Sequence, residues 1–166
     1  ESTTMALVPQ VVDAVQIPVI AAGGIADGRG IAAAFMLGAK AVQMGTRFIA
    51  TQEAQVHESY KNQVLRAKDI DTRVTGRSTG HPVRALRNEM TKRYLELEQE
   101  GASFEELEQL TLGGLRRAVG EGDVRMGSMM AGQWGGLVGG ILACRELVPQ
   151  LVQEAQACMK GIRVCE

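Results

Sequence analysis

The sequence predicts an α/β fold with parallel strands, and three observations in the stretch Val19 to Phe48 predict it. Val19–Ala22 is a short apolar run led in by Pro18, as expected of a strand buried on both faces. Gly23-Gly24 stops that run, Asp27 offers an N-cap, and Ile31, Ala34, Phe35 and Gly38 then share one helical face. Ala41–Met44 is a second apolar strand, stopped by Gly45-Thr46. Strand, turn, helix within Asp27–Leu37, strand and turn make a right-handed βαβ unit whose strand ends lie side by side. Glycine lets a backbone approach an anion closely, and N–H groups at such turns and at helix N-termini bind phosphate. Glycine turns also occur in α/β proteins that bind nothing there. Two on successive units, with the Thr46 hydroxyl added, match the phosphate-binding loops after strands seven and eight of a (β/α)8 barrel.

The remaining elements come in chain order. Thr3 and Thr4 are N-cap candidates for a helix over Met5–Val15 that turns Leu7, Val8, Val11, Val12 and Val15 inward. Pro9 either sits in its first turn or kinks it. The tetrapeptide L-V-P-Q at Leu7–Gln10 recurs at Leu147–Gln150, which fits two equivalent outer helices. Tyr60–Ala67 and Val83–Leu97 have helical spacing, and Asp71–Ser78 reads as extended. Ser103 to Glu106 is a capping box opening a helix with Leu107 and Leu110 facing inward, and Gly113-Gly114 breaks it or joins two short helices. Arg145–Lys160 closes the chain as a helix presenting Leu147, Leu151, Ala155 and Cys158 to the core.

Composition bounds the function. At 166 residues the chain is long enough for one domain with a core, and 45% apolar residues is ordinary for a globular protein. A net charge of −1 speaks against a polyanionic partner, and 4% aromatic residues against a stacking platform for nucleic acid. Three cysteines, Cys144, Cys158 and Cys165, lack a C-x-x-C pattern and fit reduced thiols in a cytosol. No signal peptide and no run of about 18 apolar residues is found, so a cytoplasmic protein without a membrane partner is expected. Residues 53–125 carry 25 of the 37 charged residues, 13 acidic and 12 basic, a balance expected of solvated helix faces.

Side-chain chemistry of its own is not evident. His57 and His81 stand in charged segments without metal-ligand partners and read as surface or packing residues. No G-x-S-x-G or Cys–His arrangement occurs, and A-D-G-R-G-I-A fails the dinucleotide fingerprint. That leaves chemistry carried by a cofactor. Residues 113–140 hold 10 of the 20 glycines. Within them Gly127–Gly136 contains Met129, Met130, Gln133 and Trp134, which suits a folded loop lining a pocket better than a linker.

The motifs A-A-G-G-I-A-D-G-R-G at Ala21–Gly30 and V-Q-M-G-T-R-F at Val42–Phe48 resemble the flavin-mononucleotide (FMN) barrels of the nitronate monooxygenase family. R-S-T-G-H-P-V-R at Arg77–Arg84 and M-A-G-Q at Met130–Gln133 are similar to its flavin-dependent enoyl-acyl-carrier-protein reductase branch, type II. The resemblance implies the C-terminal part of a TIM (β/α)8 barrel with a mainly helical insertion. Residues 1–52 would be the last βα units, 53–127 the insertion, and 128–166 a pocket loop and return helix. A complete barrel needs about 250 residues, and the chain opens at Glu1 without an initiator methionine, so a longer enzyme supplying the earlier strands is expected.

By that resemblance Gly24 and the turn Gln43, Met44, Gly45 and Thr46 hold the flavin phosphate, and Gly23 allows its close approach. Met130, Ala131, Gly132 and Gln133 lie near the isoalloxazine or the acyl substrate. The family's acid–base histidine belongs to a G-G-H-x-G segment expected before Glu1, so no catalytic residue is expected in this chain and the isolated fragment should be inactive. The implied activity is reduction of an enoyl thioester on acyl carrier protein by NADH or NADPH through FMN, in fatty-acid synthesis. The implied partners are acyl carrier protein and the N-terminal part of the barrel, with a homodimer left open. Three alternatives stand beside it. One is a nitronate monooxygenase, which shares the phosphate turns. Another is a barrel like that of inosine-monophosphate dehydrogenase, disfavoured because all three cysteines are late. The last is a non-catalytic helical interaction module whose glycine turns are only structural.

Overall fold

A computed structural model describes residues 2–161, so Cys165 lies outside the described residues. Strand β1 (Ile20–Ala22) runs parallel to β2 (Ala41–Gln43), with Ile20 opposite Ala41 and Ala22 opposite Gln43. Helix α2 (Gly28–Met36) connects them, as the alternating apolar and glycine segments predict. The expectation that β1 is buried on both faces is overturned: Ala21 is buried, whereas Ile20 and Ala22 are exposed. The reason is that this sheet has two strands among the described residues, and the packed cluster of Val8, Ala21, Ala34 and Ala39 lies on one face only. Phe35, expected on the inner face of α2, is likewise exposed, while Ile31, Ala32 and Ala34 are buried.

Helix α1 (Thr4–Ala14) precedes β1. Thr3 occupies its N-cap position without a side-chain capping bond, and Pro9 lies inside the helix, past the first turn. A proline there donates no N–H to the preceding turn. Val8 is buried but Leu7, expected to face inward, is 48% exposed. The echoed tetrapeptide behaves in the opposite sense at Leu147–Gln150, where Leu147 is buried and Val148 exposed. One residue is about 100° of helical rotation, so the two helices dock with different faces and are not equivalent.

The chain then leaves the parallel pair through the short helix α3 (Thr46–Ile49) into α4 (Glu58–Arg66). An antiparallel hairpin comes next, β3 (Thr72–Thr75) with β4 (Val83–Leu86). Val83–Leu86 is therefore strand, not the start of a helix. Its neighbours decide this: β4 is bonded to β3 on one side, and on the other Leu86 N donates to Met129 O and Ala131 N to Arg84 O. The helix begins only at Asn88, whose side chain forms a capping box with Thr91 and opens α5 (Glu89–Glu100). The Ser103–Glu106 capping box is present as read and opens α6 (Phe104–Thr111), with Leu107 buried and Leu110 packed beside it. Gly113, in the left-handed region at φ 70°, joins α6 to α7 (Gly114–Arg116) and a π-helical turn over Arg117–Glu121. Lys61 is the one buried charged residue of segment 53–125 among the described residues; its Nζ donates to Thr51 O.

A long glycine-rich segment leads back to the first unit, where Leu142 bridges Thr51 and Gln52 N donates to Leu142 O. Helix α8 (Cys144–Lys160) then lies against α2, burying Leu147, Leu151 and Ala155 against Ile31. The two helices touch at Gly28, where a Cβ would collide with Glu154 Cβ and the Ala155 backbone. A Gly28→Ala variant is expected to lose about 1–3 kcal/mol of stability through overpacking. Gly120→Ala, with nothing within 4 Å of its added Cβ, should not. Thermal melts of the two variants check this.

Candidate functional site: two glycine turns and the loop laid across them

Because β1 and β2 are in parallel register at Ala22 and Gln43, the turns at their C-terminal ends share one edge of the sheet. The first turn is Gly23-Gly24, both in the left-handed region with φ 95° and 74°. Only glycine adopts this conformation without cost. Its position is fixed by the Thr4 hydroxyl, which donates to Gly23 O at 2.8 Å. Trp134 lies over Gly24, with Nε1 2.8 Å from where a Cβ would stand.

The N-terminus of α2, next along the chain, is not an anion site. Asp27 Oδ1 accepts from the N–H of Arg29 and of Gly30, and Glu154 Oε2 of α8 accepts from Gly28 N at 3.1 Å. Its leading donors thus already face two carboxylates. Burial raises the Asp27 carboxyl's pKa, but hydrogen bonds from the Arg29 side chain and the Gly30 N–H outweigh it, so the net direction is downward.

The second turn differs in kind. Gly45 is the N-cap of α3 at φ −95°, a conformation open to any residue, and nothing lies within 4 Å of its Cβ position. Among the described residues no acceptor engages the N–H groups of Gly45, Thr46 or Arg47. These are the unmatched donors that any helix start leaves. Gln43 is exposed, and Met44 packs towards Ile31 and Leu147 instead of towards the turn.

The loop predicted to line a pocket is held extended across this edge. Met129 and Ala131 bond to β4, and Met130 pairs as a bridge with Ala85. The buried Tyr60 hydroxyl donates to Met130 O at 2.6 Å, and burial raises its pKa far above the usual phenol value. Gly132 N donates to Thr46 Oγ1 at 2.8 Å, which fastens the loop to the second turn. Gln133 and Trp134 then line a cavity of about 580 Å³ with Thr4, Gly23, Gly24 and Asp27. The structure therefore brings Gly23, Gly24 and Gln133 to one cavity and ties Thr46 to Gly132. Ala131 is buried, and Met130 lines a different cavity, among the residues of the hairpin, α5 and α6.

Several contributors escaped sequence reading. Thr4 stands 19 residues from the carbonyl it holds, and Glu154 stands 126 residues from Gly28, so no local signal exists for either. Arg47 had one: it is a lone cation in an apolar run. It is buried, donates to Ala50 O and Gly140 O, and burial pushes its pKa down. The histidines behave as read. His57 caps α4 by accepting from Ser59 N, and His81 packs edge-on against Phe104. No group of three His, Cys, Asp or Glu placed to hold a metal occurs among the described residues.

This arrangement, parallel βα units ending in adjacent glycine turns with a helical insertion behind them, is that of a partial βα barrel. The chain belongs to the nitronate monooxygenase family, whose profile matches residues 1–154. That is the family its motifs resemble. Two relatives are described as probable nitronate monooxygenases. The one from Staphylococcus saprophyticus is 38% identical over 156 residues, 94% of this chain and 44% of that protein. The one from Staphylococcus haemolyticus is 41% identical over 130 residues, 78% and 36% of the two chains. Among solved structures, FabK from Thermotoga maritima superposes with a TM-score of 0.92 at 48% identity, over 96% of this chain and 51% of that one. A nitroalkane oxidase from Streptomyces ansochromogenes gives 0.75 at 33% identity, over 96% and 45%. The chain spans about half the length of these relatives or less.

Two outcomes are expected from the site's supports. Asp27→Ala should cost about 1 kcal/mol at neutral pH, the usual worth of an N-cap. Because the folded carboxyl titrates below its unfolded value near pH 4, the cap contributes fully above that pH and is lost as the pH falls through the lower folded value. Melts of wild type and variant should therefore converge in acid. Tyr60→Phe keeps the ring but leaves the Met130 carbonyl without its donor, at a cost of about 1–2 kcal/mol. Denaturant unfolding measures that loss.

Proposed function

We propose that this chain is the flavin-phosphate half of an FMN-dependent enoyl-acyl-carrier-protein reductase, which uses NADH or NADPH to reduce the enoyl thioester. The observation that carries the proposal is the pair of turns on one sheet edge, of which the second has, among the described residues, no acceptor on the N–H groups of Gly45, Thr46 and Arg47. A phosphate suits them for three reasons. Gly23 and Gly24 present backbone without a side chain, the Cβ position of Gly45 is open, and Thr46 has a hydroxyl hydrogen to donate. Loops after two successive strands plus the start of a short extra helix are a recurring phosphate site in βα barrels. The occupied N-terminus of α2 has no part in it. The likeness to FabK at 48% identity supports the reductase branch.

In this reading Gly23 and Gly24 let the flavin's phosphate end approach the backbone, and the N–H groups of Gly45 and Thr46 donate to it. Gln133 and Trp134 form the wall beside it, and Thr4 holds the first turn in shape. When bound, the flavin supplies the hydride transfer. Further βα units beyond this chain, completing the barrel, supply the acid–base group, and acyl carrier protein presents the substrate. The family match and the Staphylococcus relatives support a second reading, a nitronate monooxygenase with the same phosphate turns. The two differ in what reoxidises the flavin. Anaerobic reoxidation of the reduced full-length protein by an enoyl thioester identifies the reductase; reoxidation only by oxygen with a nitronate identifies the monooxygenase.

The phosphate assignment has its own test in Gly45→Val. At φ −95° with open space beside it, valine strains neither the backbone nor its neighbours. The apo-protein's melting temperature should therefore hardly move. The same side chain would crowd a phosphate bound through charge-assisted bonds worth about 1.5–3 kcal/mol each, so FMN affinity should fall roughly 10- to 150-fold. Flavin titration of both full-length proteins, beside melts of both apo-proteins, reads the difference. Equal FMN affinity would remove the turn from the site.

A further inference from the structure

We propose that the indole N–H of Trp134 is a side-chain donor to the flavin's phosphate, and so a residue by which this chain prefers FMN to the unphosphorylated flavin. The proposal rests on the flavin-phosphate reading of the two turns. It adds to their backbone donors a side chain that belongs to neither turn.

Trp134 is the sole tryptophan of the chain, and it meets the first turn edge-on. The ring atoms nearest to the Cβ position of Gly24 are Nε1, at 2.8 Å, and Cδ1, at 3.3 Å. The edge that carries the N–H therefore lies against the turn, and a side chain at position 24 would displace it. Among the described residues neither the indole N–H nor the Gly24 N–H has an acceptor. Two carboxylates stand on cavities that Trp134 lines, and neither takes the indole proton. Asp27 is engaged by the Arg29 side chain and by the N–H groups of Arg29 and Gly30. Asp69, on the neighbouring cavity of about 370 Å³, makes no bond to the ring. An indole N–H donates and never accepts. Its natural partner is an oxygen that only accepts, as a phosphate oxygen does, and a hydroxyl fits it less well.

The ring's backbone is fastened on both sides. Before it in the chain Gly132 N donates to Thr46 Oγ1, and after it Leu137 N donates to Trp134 O. The turn beneath is fixed by the Thr4 hydroxyl on Gly23 O. The bond to Thr46 ties the segment that carries the indole to the second turn, so donors from both turns and from the loop laid across them share one edge of the sheet. A donor held in place beforehand leaves a ligand little ordering to bring about. Bonds to a charged acceptor are also stronger than bonds to a neutral one. The indole therefore favours the phosphate end of FMN over the hydroxyl that riboflavin carries there.

The test replaces Trp134 in the full-length protein by benzothienylalanine, which keeps two fused rings of the same shape and puts sulfur where the N–H stands. A second variant is Trp134→Phe. Each protein is titrated with FMN and with riboflavin, and the readout is the ratio of the two affinities. Trp134 is 45% exposed, so melting temperatures of the apo-proteins should stay near that of wild type. Loss of the donor should weaken FMN binding roughly tenfold or more and leave riboflavin binding nearly as it was, so the ratio falls by about the same factor. The phenylalanine variant also loses ring contact, which weakens both flavins alike and cancels in the ratio. If the benzothienyl protein does not fold, the ratio in Trp134→Phe decides. A ratio equal to that of wild type would overturn the indole donor and leave the phosphate turns standing. A wild-type protein that binds FMN no better than riboflavin would instead overturn the phosphate reading itself, and the indole donor with it.

Discussion

The parallel pairing of Ala22 with Gln43 is the constraint on which the rest of the site depends. A parallel pair needs a crossover, and α2 supplies it, so both strands point the same way and release their chains at one edge. The residues after each strand then have to turn within that edge. The first turn does so with two left-handed glycines and the second by starting a short helix. Slipping the register by one residue would reverse the faces of β1, exposing Ala21 and separating it from Val8, Ala34 and Ala39. The apolar cluster on one face thus fixes the relative position of two turns that belong to no common loop.

Competition for backbone donors decides which of the two helix starts remains available to a ligand. Helix α2 looks the better anion site by length, yet Asp27 from its own cap and Glu154 from α8 take its leading N–H groups. Those carboxylates have structural work: Asp27 sets where the helix begins, and Glu154 stands at the close contact of α8 with Gly28. Helix α3 is a single turn with neither kind of partner among the described residues. Among the described residues its donors meet no protein acceptor, and the chain around it is anchored by other means. The buried Arg47 reaches to Ala50 O and Gly140 O, and Thr46 accepts from Gly132.

The segment from Met129 to Gln133 joins the two parts of the molecule. One residue bonds to the hairpin, the next is gripped by Tyr60, and Gly132 is fastened to the second turn. Met130 enters the wall of one cavity, whereas Gln133 and Trp134, where the chain turns beyond the Gly132–Thr46 bond, reach another. The insertion is thereby coupled to the glycine turns through backbone hydrogen bonds, which are short-range and directional.

Local chemistry was legible in the sequence. Short apolar runs ended by glycine gave both parallel strands, Asp27 gave the start of α2, and the Ser103–Glu106 box gave the start of α6. Each depends on residues within a few positions of one another. The motifs also gave the family, because Ala21–Gly30 and Val42–Phe48 are local patterns too. Sequence reading failed wherever a distant neighbour decides. Val83–Leu86 has helical spacing but is a strand, because β3 and the segment near Met129 offer it hydrogen bonds that a helix would forgo. Leu7 and Phe35 are exposed because one face of their unit is packed and the other is not. The occupied start of α2, the open start of α3 and the separation of Met130 from Gln133 were set only by tertiary structure. Capping, turn geometry and periodicity act within one turn or strand, whereas the partner of a buried donor or apolar face is chosen among groups up to 126 residues away.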